Sequence, residues 1–304
     1  MRALIVLLTT LIVPLAMTAS ARADRATLAT LAPAADARRA VAIGPAGQVY
    51  EPDGKGAWVR KQAGGIAGEI VAAANAGGSV IAGAKNAPPF KLKGGAWTAL
   101  NLGLRPKAVL GTGSRVLAAV GKTVFALDAA RPPAKLADAP GAVLALGASP
   151  KGAVIATDRG LARLEGTVFK PMKKVPKKVQ ALIGDRWALV DRGAFDLKAM
   201  KLVAWPAGLH VGEAIAVGDG LIAVGTHGKT IELLTISAGK LARDKLPLTD
   251  PKPVVGVAAD AAGRVVIAMR DGTLAVREGT AWTTTTVREE LTPAKPGPPP
   301  AASN

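Results

Sequence analysis

Side chains able to do covalent or acid–base chemistry are few in this chain. It has no cysteine and two histidines, which removes thiol nucleophiles, thiolate metal sites and disulfides. His210 and His227 stand in neither an HxH nor an HExxH arrangement, and no run of Asp or Glu has calcium-loop spacing. A protein metal site needs three or four converging ligands, so neither a metal nor any other cofactor is expected. Histidine titrates near neutral pH, which leaves His210 and His227 open to acid–base work. A glycosidase needs two converging carboxylates, but Glu51 and Glu232 fall in strands of different units. Tyr50 is the only tyrosine, no arginine triad can be placed by motif, and no GxSxG elbow occurs. No catalytic residue is assigned.

Cations, by contrast, are abundant. The 39 Lys and Arg outnumber the 22 Asp and Glu, for a net charge of +17. The chemistry such a surplus serves is anion recognition, and solubility besides. Lys85, Lys122, Arg159, Arg192, Lys229 and Arg270 each occupy a short turn, and Lys173, Lys174, Lys177 and Lys178 form one cluster. Arg105 and Lys107 lie in a further connection, as do Arg60, Lys61 and Lys252. Together with His227, the first twelve of these form the candidate anion- or partner-binding set. Asp158, Asp191 and Asp271 beside three of the basic turns weaken it, and the remaining turns are basic on balance as well.

The elements that must position these residues are short strands. The stretch AVLALGASPKGAVIATDRGLARLEGTVFKPM, from Ala142 to Met172, holds four apolar runs separated by SPKG, DRG and EG. Those separators are turn formers, so the stretch reads as one antiparallel meander. It recurs along the chain about every 38 residues, just under the range of propeller repeats. The first strands are predicted at 27–31, 70–74, 108–111, 143–148, 179–183, 214–217 and 254–258, rich in Ala, Gly and Val as crowding about an axis demands. Second strands are expected near Arg39, Ser79, Arg115, Ala153, Arg186, Leu221 and Arg264. Trp58, Trp97, Phe169, Trp205 and Trp282 are expected to open fourth strands, with Leu136 and Leu241 in the other units. Aromatics make up only 3% of the chain. Their plain role is to pad the interface between neighbouring outer strands, where large rings bury most area; an exposed row for sugar stacking is the sharper alternative.

The segment PKGAVIATDRGLARLEGTVF resembles the repeat of two-component-regulator-type propellers, within the wider group of WD40-like and neuraminidase-like (BNR) repeat propellers. The resemblance implies an all-β fold: a single seven-bladed β-propeller of four-stranded antiparallel blades over residues 24–290. It implies little about activity, because such propellers host unrelated functions. The chain also departs from the pattern. The tryptophan common on the second strand of such blades occurs once, as Trp187, and neither the Gly-His and Trp-Asp marks nor a full Ser-x-Asp-x-Gly-x-x-Trp box is present. In an up-and-down meander the turns between second and third strands share a face with the connections between blades. The basic turns are therefore expected on one face.

The two ends of the chain read differently. Residues 1–23 run through an apolar stretch from Leu4 to Met17 and finish in Ala21-Arg22-Ala23, the pattern of a cleaved signal peptide. The stretch is shorter than the roughly 20 residues that span a bilayer, Pro14 interrupts it, and no Cys follows to carry a lipid. A secreted or periplasmic mature protein without a transmembrane anchor is expected. Residues 291–304, LTPAKPGPPPAASN, favour an extended, solvated conformation. The expected function is a monomeric, non-enzymatic binding or scaffold module whose partner is a protein or an anionic envelope polymer. Nucleic acid fits less well, since the aromatics sit on strands and not among the basic loops. The rivals are a hydrolase or lyase acting from an axial pocket and an assembly factor for an envelope complex.

Overall fold

Runs of Ala, Val, Ile and Leu bounded by Gly-containing turns cannot cover both faces of a single small sheet, so each sheet must pack against the next. The computed structural model describes residues 25–289 except 35, 55–56, 63, 67, 77–78, 86, 101–108, 111–115, 128–131, 150–151 and 249–251. It contains seven four-stranded sheets, each formed from four consecutive strands paired antiparallel in chain order. This is a seven-bladed β-propeller. In blade four the strands are Val143–Ser149, Gly152–Thr157, Gly160–Glu165 and Val168–Pro171. One 3-10 turn, Ala37–Arg39, is the only helical element among the described residues. No helix among them is long and apolar enough to cross a membrane.

The first strands lie innermost, at Thr30–Ala32, Ile70–Ala76, Val109–Leu110, Val143–Ser149, Ala181–Ile183, His210–Val217 and Val254–Ala259. Their small residues are required by close approach. A Cβ on Gly256 would collide with Leu31 of blade one, and one on Gly147 with the carbonyl of Gly184 in blade five. The core is divided among the seams between blades. One cluster, for example, joins Ile222, Val224 and Leu233 of blade six to Val257, Val265 and Ile267 of blade seven.

Two elements differ from expectation at the start of the chain. The first strand begins at Thr30, not at residue 27, because the preceding backbone is bonded to blade seven: Ala26 N–H donates to Val287 O (3.0 Å) and Leu28 N–H to Arg270 O (2.9 Å). Arg39 stands in the 3-10 turn and the second strand starts at Val41. The displaced segment closes the ring. Ala26, Leu28 and Leu31 pack with Leu274, Val276 and Val287 in a single core cluster, and Arg25 bridges to Arg288. Among the described residues no strand is exchanged between the terminal blades.

The aromatics pad the seams, with one correction. Trp58, Trp97, Phe169 and Trp282 lie at the start of fourth strands and pack back onto the preceding blade. Two of them are tied there: Trp97 Nε1 donates to Gly47 O at 2.7 Å, and Trp282 Nε1 to Asp244 Oδ2 at 3.0 Å. Trp205 does not open a fourth strand. That strand is Lys201–Ala204, and Trp205 follows it, packing forward with Leu234 and Leu241 of blade six. The LVAW motif imitates the other four by spacing alone.

Candidate anion-binding face

Hairpins with tight turns set most of the basic residues in place. Lys122, Arg159, Arg192 and Lys229 each sit in a two-residue turn between second and third strands. Lys85 and Arg270 sit in the longer turns of blades two and seven. In two of these turns a glycine of positive φ, Gly121 (+57°) and Gly228 (+59°), stands beside Lys122 and Lys229. His227 ends the second strand of blade six, next to that turn. All seven side chains are exposed.

The lysine cluster is held by its apolar neighbours. Met172, Val175 and Val179 pack onto Leu161, Leu182 and Leu197 at the seam of blades four and five. Met172 N–H donates to Leu161 O and Gln180 N–H to Leu189 O, both at 2.9 Å, closing the two ends of the connection. Lys173, Lys174, Lys177 and Lys178 alternate with these anchors and are exposed. Lys174 takes a positive φ of 57°, a backbone state that L-residues adopt at some cost. Arg105 and Lys107 lie outside the described residues.

Most of these cations stand without an ion pair. Lys122, Arg159, Lys173, Lys174, Lys177, Lys178, Arg192, Lys229 and Arg270 make no ion pair with the described residues. Lys85 meets Glu69 at 3.7 Å with both side chains largely in water, a contact of little energy. Antiparallel pairing places the turns named above at one end of the molecule and the first-to-second and third-to-fourth turns at the other. At that other end several charges are paired across strands and blades, while Lys93, Lys198, Lys201 and Lys240 are exposed and make no ion pair with the described residues either. Arg186 clasps Asp196, with Nη2 2.8 Å from Oδ2, and its Nη1 reaches Asp219 of blade six at 2.9 Å. Burial works to raise the Asp196 pKa, but Arg186 and the amides of Ala199 and Lys198 overcome it and hold the carboxyl below its usual range. At the cationic end, beside the turn that carries Lys122, Lys135 and Thr123 lower the Asp138 pKa by hydrogen bonds.

One group near the axis escaped the sequence reading. Glu213 lies on the first strand of blade six, just after a bulge between Val211 and Glu213. It shares a strand face with Ile215 and Val217, which pack toward blade seven. Desolvation pushes its carboxyl up to about 7, with no compensating partner. The first strands of blades two, four and seven carry the same bulge, and the residue after it is Ala72, Ala145 or Gly256. Matching the repeats strand by strand would have singled out Glu213 as a carboxylate where its counterparts are small. Among the described residues no group of His, Asp and Glu is arranged to hold a metal ion. Tyr50 is buried, with its hydroxyl 3.1 Å from Glu289 Oε1, and burial with that neighbour keeps it protonated.

No protein-family model matches the chain, and no curated protein matches it in sequence. Its fold is that of WD40 and related β-propellers. PorZ, described as a bacterial surface component of the type-IX secretion system of Porphyromonas gingivalis, superposes with a TM-score of 0.57 at 15% identity over 89% of this chain. The matched region is 39% of PorZ, so the chain spans well under half of that protein's length. The WD40 propeller domain of Doa1 gives 0.58 at 12% identity, covering 84% of this chain and 94% of that domain. A streptogramin B lyase gives 0.58 at 11% identity, covering 82% and 92%. At these identities the likeness extends to the fold.

Proposed function

We propose that this propeller is a non-enzymatic, extracytoplasmic binding module that docks an anionic partner of the cell envelope on its cationic loop face. The observation that carries the reading is the set of exposed, unpaired cations at one end, centred on Lys173, Lys174, Lys177 and Lys178. Like charges so placed repel one another and contribute nothing to the fold, and a counter-charge from outside relieves them. The aromatics are occupied in the seams between blades, which leaves no stacking platform among the basic loops and favours an acidic protein patch or anionic polymer over nucleic acid. The fold shared with a secretion-system surface protein is compatible with a role in envelope assembly.

Passing a cell-envelope extract over the immobilised residues 24–304 at low and then high salt tests this. Retention that salt releases, and that Lys173→Glu, Lys174→Glu, Lys177→Glu and Lys178→Glu together abolish, is the expected result. Retention unchanged by the four substitutions overturns it. A second reading, a lyase or hydrolase working from the axis, is favoured by Glu213 alone, whose raised pKa suits a general base near neutrality. Turnover of an envelope substrate that Glu213→Gln abolishes would select it.

A further inference from the structure

The blades of a propeller serve as controls for one another. Blades three to six all join their second and third strands by a two-residue turn, so their residues can be matched by counting cross-strand pairs from it. Beside the turn, the second strands carry Val120, Thr157 and Val190 in blades three to five, and His227 in blade six. Two pairs along, the third strands carry Phe125, Ala162 and Phe195, and Glu232 in blade six. One strand further out, Arg243 faces Leu234 at the level where Phe169 faces Leu164 in blade four. Blade six alone puts an imidazole, a carboxylate and a guanidinium where its siblings are almost wholly apolar.

These three groups meet. The Glu232 side chain is 2% exposed, and Arg243 clasps it with Nε donating to Oε2 at 2.8 Å and Nη2 to Oε1 at 2.9 Å. His227 Nδ1 lies 3.9 Å from Glu232 Oε1. Glu232 shares its strand face with Leu234 and Ile236, which pack toward blade five and the connection carrying Trp205 and Leu209. Gly208 in that connection, at φ +75°, lies against the imidazole: a Cβ there would stand 3.4 Å from His227 Nε2. Lys245 is the cross-strand partner of Glu232 and is exposed. Trp205, which turns forward where the fourth-strand aromatics turn back, packs on this same seam.

A buried ion pair is commonly less stabilising than apolar residues of similar volume, and the sibling blades show that apolar residues serve at these positions. What the pair delivers instead is a guanidinium fixed in one orientation at the cationic end, with Arg243 44% and His227 51% exposed. Nε and one Nη2 proton are committed to Glu232, and the outer Nη1–Nη2 edge of the planar guanidinium suits the oxygens of a tetrahedral anion. We infer that the seam of blades five and six holds a discrete oxyanion site, in which Arg243, His227 and Lys245 receive a phosphoryl or sulfuryl group. The site does not depend on the broad face binding a polymer.

The two histidines of the chain give the test its internal reference. With inorganic phosphate, and separately sulfate, added at pH 7 against chloride of equal ionic strength, the ring signals of His227 and His210 are followed by NMR. A saturable shift of His227 with His210 unmoved is expected, and whichever anion binds more tightly identifies the group. Arg243→Lys, which keeps a cation beside Glu232, should weaken binding by about tenfold, while the four lysine substitutions leave it within about twofold. A His227 shift that does not saturate, or equal affinity in Arg243→Lys, overturns the site. Loss of polymer retention with phosphate binding intact would leave this inference standing when the reading of the face is tested separately.

Discussion

The two ends of the propeller use the same residue types in opposite ways. At one end Lys122, Arg159, Lys173, Lys174, Lys177, Lys178, Arg192, Lys229 and Arg270 stand in water without an ion pair to the described residues. At the other, Arg186 joins Asp196 to Asp219 across the seam of blades five and six. There too Asp260 accepts from the amides of Ala37 and Arg264, and Arg264 pairs with Glu278. Arg186 and Arg264 at the second end tie strands and blades together, whereas the nine cations named at the first make no ion pair that serves the fold. Charge removal should therefore affect binding at one end and stability at the other.

The largest expected effect is on binding. Reversing Lys173, Lys174, Lys177 and Lys178 together should cut association with an immobilised polyanion such as heparin at low salt by roughly a thousandfold. The melting temperature should stay unchanged, since the apolar anchors Met172, Val175 and Val179 are untouched. A matching loss of stability would mean that the loop is structural and would break the comparison. Next comes the paired end. Arg186→Ala strands the Asp196 carboxylate, whose side chain is 7% exposed, and should cost about 3 kcal/mol in denaturant unfolding with heparin binding unaltered.

Carboxylates sharpen the contrast through pH. The folded pKa of Glu213 is raised from 4.5 to about 7, so the folded state holds a proton that the unfolded chain releases between those values. Its contribution falls as pH rises through that window, and above it the ionised group costs up to roughly 3 kcal/mol. Glu213→Gln should flatten the slope between pH 5 and pH 7 and raise stability in mildly alkaline buffer. Asp196 has the opposite sign. Its pKa is held below 3.8, so its stabilisation is present above that value and lost as pH falls further. Chemical denaturation across pH separates the two.

What could be read without coordinates divides along the same line as the two ends. Strand runs, turn residues and their recurrence are local signals, and they located the innermost strands of blades two, four and seven within a residue or two. Closure is not local. Nothing around Ala26 or Leu28 says that their amides bond to Val287 and Arg270 at the far end of the chain, and the first strand was misplaced for that reason. Trp205 was misassigned because interval matching cannot see which blade an aromatic faces. Glu213 was passed over, and Glu232 was weighed only as a missing glycosidase partner, because a carboxylate in an apolar strand carries no motif. Its meaning comes from its counterparts in the other blades.

The smallest effect tests the comparison where it is weakest. Lys85 belongs to the cationic end but does have a partner, Glu69, at 3.7 Å with side chains 65% and 71% exposed. If partnership as such made a charge structural, Lys85→Ala would destabilise blade two. Water screens a pair this exposed, and ordering two long side chains offsets what attraction remains, so the stability change should stay under about 1 kcal/mol. Glu69→Ala should then strengthen heparin binding slightly by freeing Lys85, a rise of about twofold that disappears as salt is added. Measuring both variants by unfolding and by heparin affinity separates exposure from pairing. A destabilised Lys85→Ala would show that pairing alone distinguishes the ends, whereas an unchanged fold with a stronger-binding Glu69→Ala would show that burial decides which charges serve the structure and which remain available to a partner.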